Sequence, residues 1–140
     1  MNRPSKIEYY LALAGVVASR STCLRRHFGS VIVSTDDRII STGYNGPAKG
    51  ESPCETCERE RLKIPSGERY EICRAAHSEN NAVIFSDPIS RRGATLYLAG
   101  FEVATGQPIV NPRPCLLCSR VLRNSGIHKI TTQISTEVII

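Results

Sequence analysis

An α/β fold, with helices layered on a mixed sheet, is what this sequence predicts. Apolar residues recur with the helical period over Ile7 to Ser21, and two further segments carry helix start or stop signals. Runs of β-forming residues lie between them, bounded by turn chemistry. The order of the two kinds of segment is αββ, then α, β, α, β. Alternation of that kind places helices against a sheet containing parallel as well as antiparallel neighbours.

The elements follow in chain order. Ile7 to Ser21 is a predicted helix, because Tyr10, Leu11, Leu13, Ala14, Val17 and Ala18 follow the 3.6-residue period. Ser30 to Ser34 and Arg38 to Thr42 are strands rich in Val and Ile. Thr35-Asp36-Asp37 between them is turn chemistry, so the pair is a hairpin. Gly43 to Arg69 is studded with Gly and Pro. So long an irregular stretch in a compact domain needs something to organise it, and Cys54-Glu-Thr-Cys57 is the candidate. Arg74 to Phe85 is a second helix, ended by Asp87-Pro88. Ala94 to Ala99 is an apolar strand, followed by a loop from Phe101 to Pro114 with a small hairpin around Thr105-Gly106. Cys115 to Asn124 is a third helix, with Pro114 at its start and Gly126 after its end. Ile127 to Ile134 and Glu137 to Ile140 are strands.

Composition narrows the function. The chain has 140 residues, 18 Lys plus Arg against 13 Asp plus Glu, a net charge of +5 and six cysteines. A single domain over residues 1–140 is expected at this size. The longest apolar run, Tyr9 to Ala18, falls short of the roughly 20 residues that cross a bilayer. Glu8 before it and the lack of a small-residue cleavage site after it do not fit a secretory signal. The expectation is a cytoplasmic protein without a membrane partner, whose cysteines bind metal or do chemistry. The mild positive charge fits a solvated surface or a phosphorylated small substrate better than a nucleic-acid partner, which is not expected.

The sharpest signal is His77-Ser78-Glu79 followed by Pro114-Cys115-Leu116-Leu117-Cys118. H-x-E with P-C-x-x-C is the signature of zinc-dependent base deaminases. Two thiolates and one imidazole, His77, Cys115 and Cys118, hold Zn²⁺ and leave a fourth position open, the catalytic complement. Iron is the alternative metal for such donors. Cys115 and Cys118 share one face of a predicted helix start, where partial positive charge favours thiolates. Zinc lowers the pKa of a bound water from about 15.7 toward ~7, and Glu79 is the candidate to move its proton. Spacing alone does not bring Glu79 there, because positions two apart on a helix do not share a face.

At this point the sequence resembles the deoxycytidylate (dCMP) deaminase family of the cytidine deaminase-like superfamily. Cys23-Leu24-Arg25-Arg26-His27-Phe28-Gly29-Ser30-Val31, Gly43-Tyr44-Asn45-Gly46, His77-Ser78-Glu79-Asn80-Asn81-Ala82 and Gly93-Ala94-Thr95-Leu96-Tyr97 carry the likeness. It implies a three-layer α/β/α sandwich with a central mixed sheet of about five strands, and a homo-oligomer, dimer or hexamer. It implies hydrolysis of dCMP to dUMP and ammonia, a zinc-bound hydroxide attacking C4 while Glu79 shuttles protons. By the same resemblance Asn45 contacts the sugar and the backbone of Ser78 the pyrimidine. Arg25 is the candidate for the 5′-phosphate, with Arg26 the second choice. The family usually has Ala where this chain has Ser78, and its loop usually carries one more residue before the proline that here is Pro47, so regulation by dCTP is not expected.

Cys23, Cys54, Cys57 and Cys73 remain. They suit a second, structural zinc site made wholly of thiolates, which several members of the family resemble in carrying; buried reduced thiols or a disulfide are the alternatives. His27 is a substitute ligand or a surface histidine, and His128 has no assigned role. Tyr44 and Tyr97 are candidates to line the pocket, with a core position the alternative for Tyr97. Other readings remain open: CMP, dCTP, deoxycytidine or tRNA adenosine as substrate, or a non-catalytic zinc-stabilised binding protein, which would have no use for Glu79.

Overall fold

The computed structural model describes residues 2–110, 112–132 and 136–138. Helix α1 spans Lys6–Ala18 and opens with a capping box, in which Ser5 Oγ accepts from the Glu8 amide and Glu8 accepts from the Ser5 amide. Strands β1 (Arg26–Val33) and β2 (Ile39–Tyr44) form the expected hairpin. The two-residue strands β3 (Gly46–Pro47) and β4 (Ala75–Ala76) pair with each other, with the short helix α2 (Glu58–Arg61) between them in sequence. Helix α3 (Ser78–Ile84), strand β5 (Thr95–Glu102), helix α4 (Leu116–Ser125) and strands β6 (Lys129–Thr132) and β7 (Thr136–Val138) complete the chain. None of the helices among the described residues is long and apolar enough to cross a membrane.

The main sheet has five strands in the order β2-β1-β5-β6-β7. Only β5 and β6 run parallel, so the sheet is mixed. The strands' two-residue alternation sorts their side chains onto two cores. Val31, Val33, Tyr97 and Ala99 face α1 and pack on Tyr10 and Ala14. Ile32, Leu96, Leu98 and Ile130 face the other way and pack on Ala82 and Val83 of α3 and Leu122 of α4. The result is the three-layer sandwich, with α1 on one side and the pair α3 and α4 on the other.

Two glycines set how closely the layers approach. A Cβ on Gly29 would lie 2.1 Å from the Ala14 carbonyl oxygen and 2.4 Å from the Ala18 nitrogen, both in the α1 backbone. A Cβ on Gly43 would lie 2.4 Å from the Ser78 oxygen and the Ala82 nitrogen of α3. Since backbone cannot rotate aside, Gly29→Ala should force α1 away from the sheet and cost about 3 kcal/mol. Urea unfolding measures this, and a wild-type midpoint would contradict the close approach. On the opposite layer, Arg91 holds the far ends of both site helices. Its guanidinium donates to the carbonyl of Ser125, the last residue of α4, at 2.8 Å and to the Val83 and Ser86 carbonyls of α3 and its C-terminal turn at 3.2 and 3.1 Å.

The boundaries differ from the sequence expectation in instructive places. The second predicted helix starts at Ser78 rather than Arg74, because Ala75 and Ala76 are drawn into pairing with Pro47 and Gly46. Strand β1 begins at Arg26 rather than Ser30, because β5 runs on to Glu102 and pairs with it in unbroken register. The small hairpin at Thr105-Gly106 is present: Glu102 N–H donates to the Gln107 carbonyl at 3.0 Å, and Gly106 N–H to the Glu102 carbonyl at 2.8 Å. The predicted strand ends at 133–134 and 139–140 lie outside the described residues.

Candidate active site

The site forms where the starts of α3 and α4 meet. His77 is the residue before α3, with extended backbone (φ −78°, ψ 152°), and Cys115 holds the same position before α4 (φ −68°, ψ 168°). Cys115 caps α4 with its sulfur, which accepts from the Cys118 amide at 3.4 Å. His77 Nδ1 lies 3.6 Å from Cys115 Sγ and 3.3 Å from Cys118 Sγ. Among the described residues this is the one group of three or more possible ligand atoms that lie within 4.8 Å of one another. Tetrahedral zinc with nitrogen and sulfur ligands at 2.0–2.3 Å holds those ligands about 3.5 Å apart, so the three donors fit zinc.

The electrostatics favour a cation here. The hydrogen bond from Cys118, and with it His77, pulls the Cys115 thiol down to about 4. The Cys118 thiol moves up, because it supplies the proton of that bond and is desolvated. A cation between the sulfurs would replace the shared proton and leave both as thiolates. His77 is shifted upward, chiefly by its bond to Cys115, against the opposing effect of burial.

Glu79 is only 5% exposed. Burial pushes its carboxyl upward, while a hydrogen bond from Ser78 opposes the shift. The helix-face objection to Glu79 falls away, because His77 is extended and lies outside α3. The i, i+2 spacing of a helix therefore does not apply to the pair.

Glu79, His77 and Cys115 line a cavity of about 720 Å³ that Asn45, Ser78, Arg25 and Arg26 also line. Asn45 is held firmly: its Oδ1 accepts from the Phe28 amide at 2.8 Å and its Nδ2 donates to the Arg26 carbonyl at 3.0 Å. Each end of that amide keeps one further hydrogen-bonding capacity. Ser78 is fully buried and donates to Glu79 Oε1 at 2.7 Å. The two arginines separate. Arg26 is committed to Glu102 at 3.0 Å and Ser66 at 3.2 Å. Arg25 has a buried Nη1 with no hydrogen-bond partner.

Cys23, Cys54, Cys57 and Cys73 line the same cavity and are half-buried. The structure brings them to the same cavity without bringing their sulfurs to mutual ligand distance. Desolvation raises the Cys23 thiol, with a smaller contribution from the other three. His27 points back to the Cys23 carbonyl at 2.8 Å. Tyr97 sits in the core against Tyr10, ring centroids 5.0 Å apart, on the α1 side of the sheet. Tyr44 is exposed and does not line the cavity.

Sequence reasoning missed Arg59 and Tyr70. Arg59 is buried, donates to the Glu68 carbonyl at 3.1 Å and the Pro65 carbonyl at 2.9 Å, and lies 4.6 Å over the Tyr70 ring. Tyr70 in turn meets the His77 ring edge-on at 5.1 Å. These contacts, rather than Cys54 and Cys57 alone, organise the long loop. An arginine in a polar loop ordinarily signals a solvated side chain, so local sequence held no sign of this one.

Residues 4–134 match the family model described as the cytidine and deoxycytidylate deaminase zinc-binding region. The chain is 38% identical over 136 residues to a deoxycytidylate deaminase of Mycobacterium phage D29, covering 93% of this chain and 95% of that one. It is 31% identical to a deoxycytidylate deaminase of Schizosaccharomyces pombe, covering 91% of this chain but only 37% of that longer protein. In fold it is similar to the crystal structure of dCMP deaminase from cyanophage S-TIM5 in complex with dCMP and dUMP. There the TM-score is 0.67 at 23% identity, over 94% of this chain and 83% of that one.

Proposed function

This chain belongs to the cytidine and deoxycytidylate deaminase zinc-binding family, and we propose that it hydrolyses dCMP to dUMP with release of ammonia. The observation that carries this reading is the buried Glu79 beside the His77, Cys115 and Cys118 donors, with Glu79, His77 and Cys115 lining a nucleotide-sized cavity. Zinc bound by those three residues supplies the Lewis acidity that makes water nucleophilic at neutral pH. Glu79 receives the proton that the attacking water gives up as its oxygen bonds to C4 of the cytosine. It hands that proton to ring N3, then takes the remaining proton from the new C4 hydroxyl and delivers it to the amino nitrogen as the C4–N bond breaks and the C4 carbonyl forms. Asn45, fixed by two β1 backbone bonds, presents its remaining hydrogen-bonding groups to the sugar, and the Ser78 backbone meets the pyrimidine.

Arg25 binds the 5′-phosphate. The unpartnered Nη1 supports that role, since a buried guanidinium nitrogen without an acceptor is costly unless a ligand supplies one. A structural zinc on Cys23, Cys54, Cys57 and Cys73 fastens the long loop. Their shared cavity supports it, and metal binding draws the four sulfurs together. The single domain of residues 1–140 works in the cytoplasm as a homo-oligomer, dimer or hexamer. The exposed apolar side chains Leu116, Leu117 and Val121 along α4, with Ile84 and Phe85 at the end of α3, support assembly.

The test is ammonia release from dCMP beside deoxycytidine, CMP and dCTP, with Arg25→Ala alongside. dCMP should be preferred, and Arg25→Ala should raise its KM at least about tenfold while leaving deoxycytidine turnover unchanged. Equal loss on both substrates would sink the phosphate role. A preference for dCTP or the nucleoside would replace dCMP as the substrate.

A further inference from the structure

Two buried hydroxyls linked to Glu79 have no part in the reaction as described above. Ser30 lies within β1 and Ser78 is the first residue of α3, and both are fully buried. Their Oγ atoms are 2.9 Å apart, and Ser78 Oγ donates to Glu79 Oε1 at 2.7 Å. Each hydroxyl has a single proton to give. Ser78 gives its proton to Glu79, so the proton between the two serines belongs to Ser30. The chain therefore runs one way, from Ser30 through Ser78 to Glu79. Reversal would turn the Ser78 proton toward Ser30. Among the described residues Ser30 Oγ has no second partner, so its own proton would be left buried without an acceptor, at a cost.

We propose that Ser30 and Ser78 are positioning residues that divide the labour of the two Glu79 oxygens. This rests on the deaminase reading above. With Ser78 always donating to Oε1, that oxygen stays an acceptor whether Glu79 is charged or neutral. The proton that Glu79 shuttles is then carried on Oε2. The same bond fixes the rotation of the carboxyl group, so Oε2 reaches the reacting atoms without a search among orientations. Because β1 supplies Ser30 and α3 supplies Ser78, the device couples the sheet to the acid–base group.

The experiment uses the zinc-loaded full chain with Ser78→Ala, Ser30→Ala and the double variant. Ser78→Ala should lower kcat for dCMP about tenfold with KM within about twofold and zinc content unchanged. Ser30→Ala should lower kcat less. The double variant should match Ser78→Ala, because Ser30 acts only through Ser78. A wild-type kcat in Ser78→Ala overturns the proposal. So does a double variant slowed by the product of the two single effects, or a kcat loss that tracks zinc loss. Ser30→Ala, which leaves α3 untouched, keeps the question decidable if Ser78→Ala folds poorly. A wild-type protein that releases no ammonia from any cytosine nucleotide or nucleoside overturns the deaminase reading and this proposal together. An active wild type with unaffected variants overturns only the serine chain.

Discussion

Glu79→Gln should lose ammonia release by about a thousandfold or more while keeping its zinc. Proton transfer by a positioned side chain is worth roughly 10²–10⁴ in rate, and here one carboxyl serves several transfers. Glutamine has the same shape. It still offers an oxygen to the Ser78 hydroxyl, which donates to Oε1 in the native site. It cannot take up and release a proton. The metal donors His77, Cys115 and Cys118 are untouched by the change, and Glu79 is not among the atoms grouped with them. Steady-state kinetics with metal analysis of the same preparation decides the matter. Zinc retained with activity gone supports an acid–base role. Zinc lost with activity would make Glu79 a ligand, and activity retained would remove it from the mechanism.

Cys118→Ala should abolish turnover by removing the catalytic metal. Its side chain is 1% exposed and its sulfur lies 3.3 Å from His77 Nδ1, so no solvent-exposed ligand can easily take its place. Two donors remain, and two-donor sites bind zinc far more weakly than three-donor sites with thiolates. Metal analysis should find about two zinc ions per chain in the wild type and one in the variant, the survivor held by Cys23, Cys54, Cys57 and Cys73. Chelating that second ion should lower the unfolding temperature, because metal binding free energy is then part of folding free energy. A wild type that saturates at one zinc per chain would rule out the four-cysteine site. A Cys118→Ala protein with full turnover would rule out the catalytic one.

The candidate metal centre was legible because its information is local. Cys115-x-x-Cys118 and His77-x-Glu79 are short spacings at helix starts, and a helix start has the same backbone wherever it occurs. The three-layer order was an implication of the family resemblance, and the structure realises it by sorting alternate side chains of Val31-Ile32-Val33 and Leu96-Tyr97-Leu98 onto opposite faces of the sheet. The substrate wall was less legible. Arg25 and Arg26 are adjacent and chemically identical in sequence, and only one of them is free to meet a ligand. Glu102 decides which, by pairing with Arg26 across the β1–β5 ladder.

The sequence by itself determined the candidate metal donors, the candidate acid–base carboxylate and the layered α/β class, since each depends on residue type and on spacings of a few positions. Tertiary structure alone decided where β1 begins, that Arg59 is buried against Tyr70, and that Ser30 stands behind Ser78. Those outcomes depend on which distant segments meet. Strand pairing, burial and hydrogen-bond partnership are properties of the assembled contact, and no periodicity along the chain encodes them.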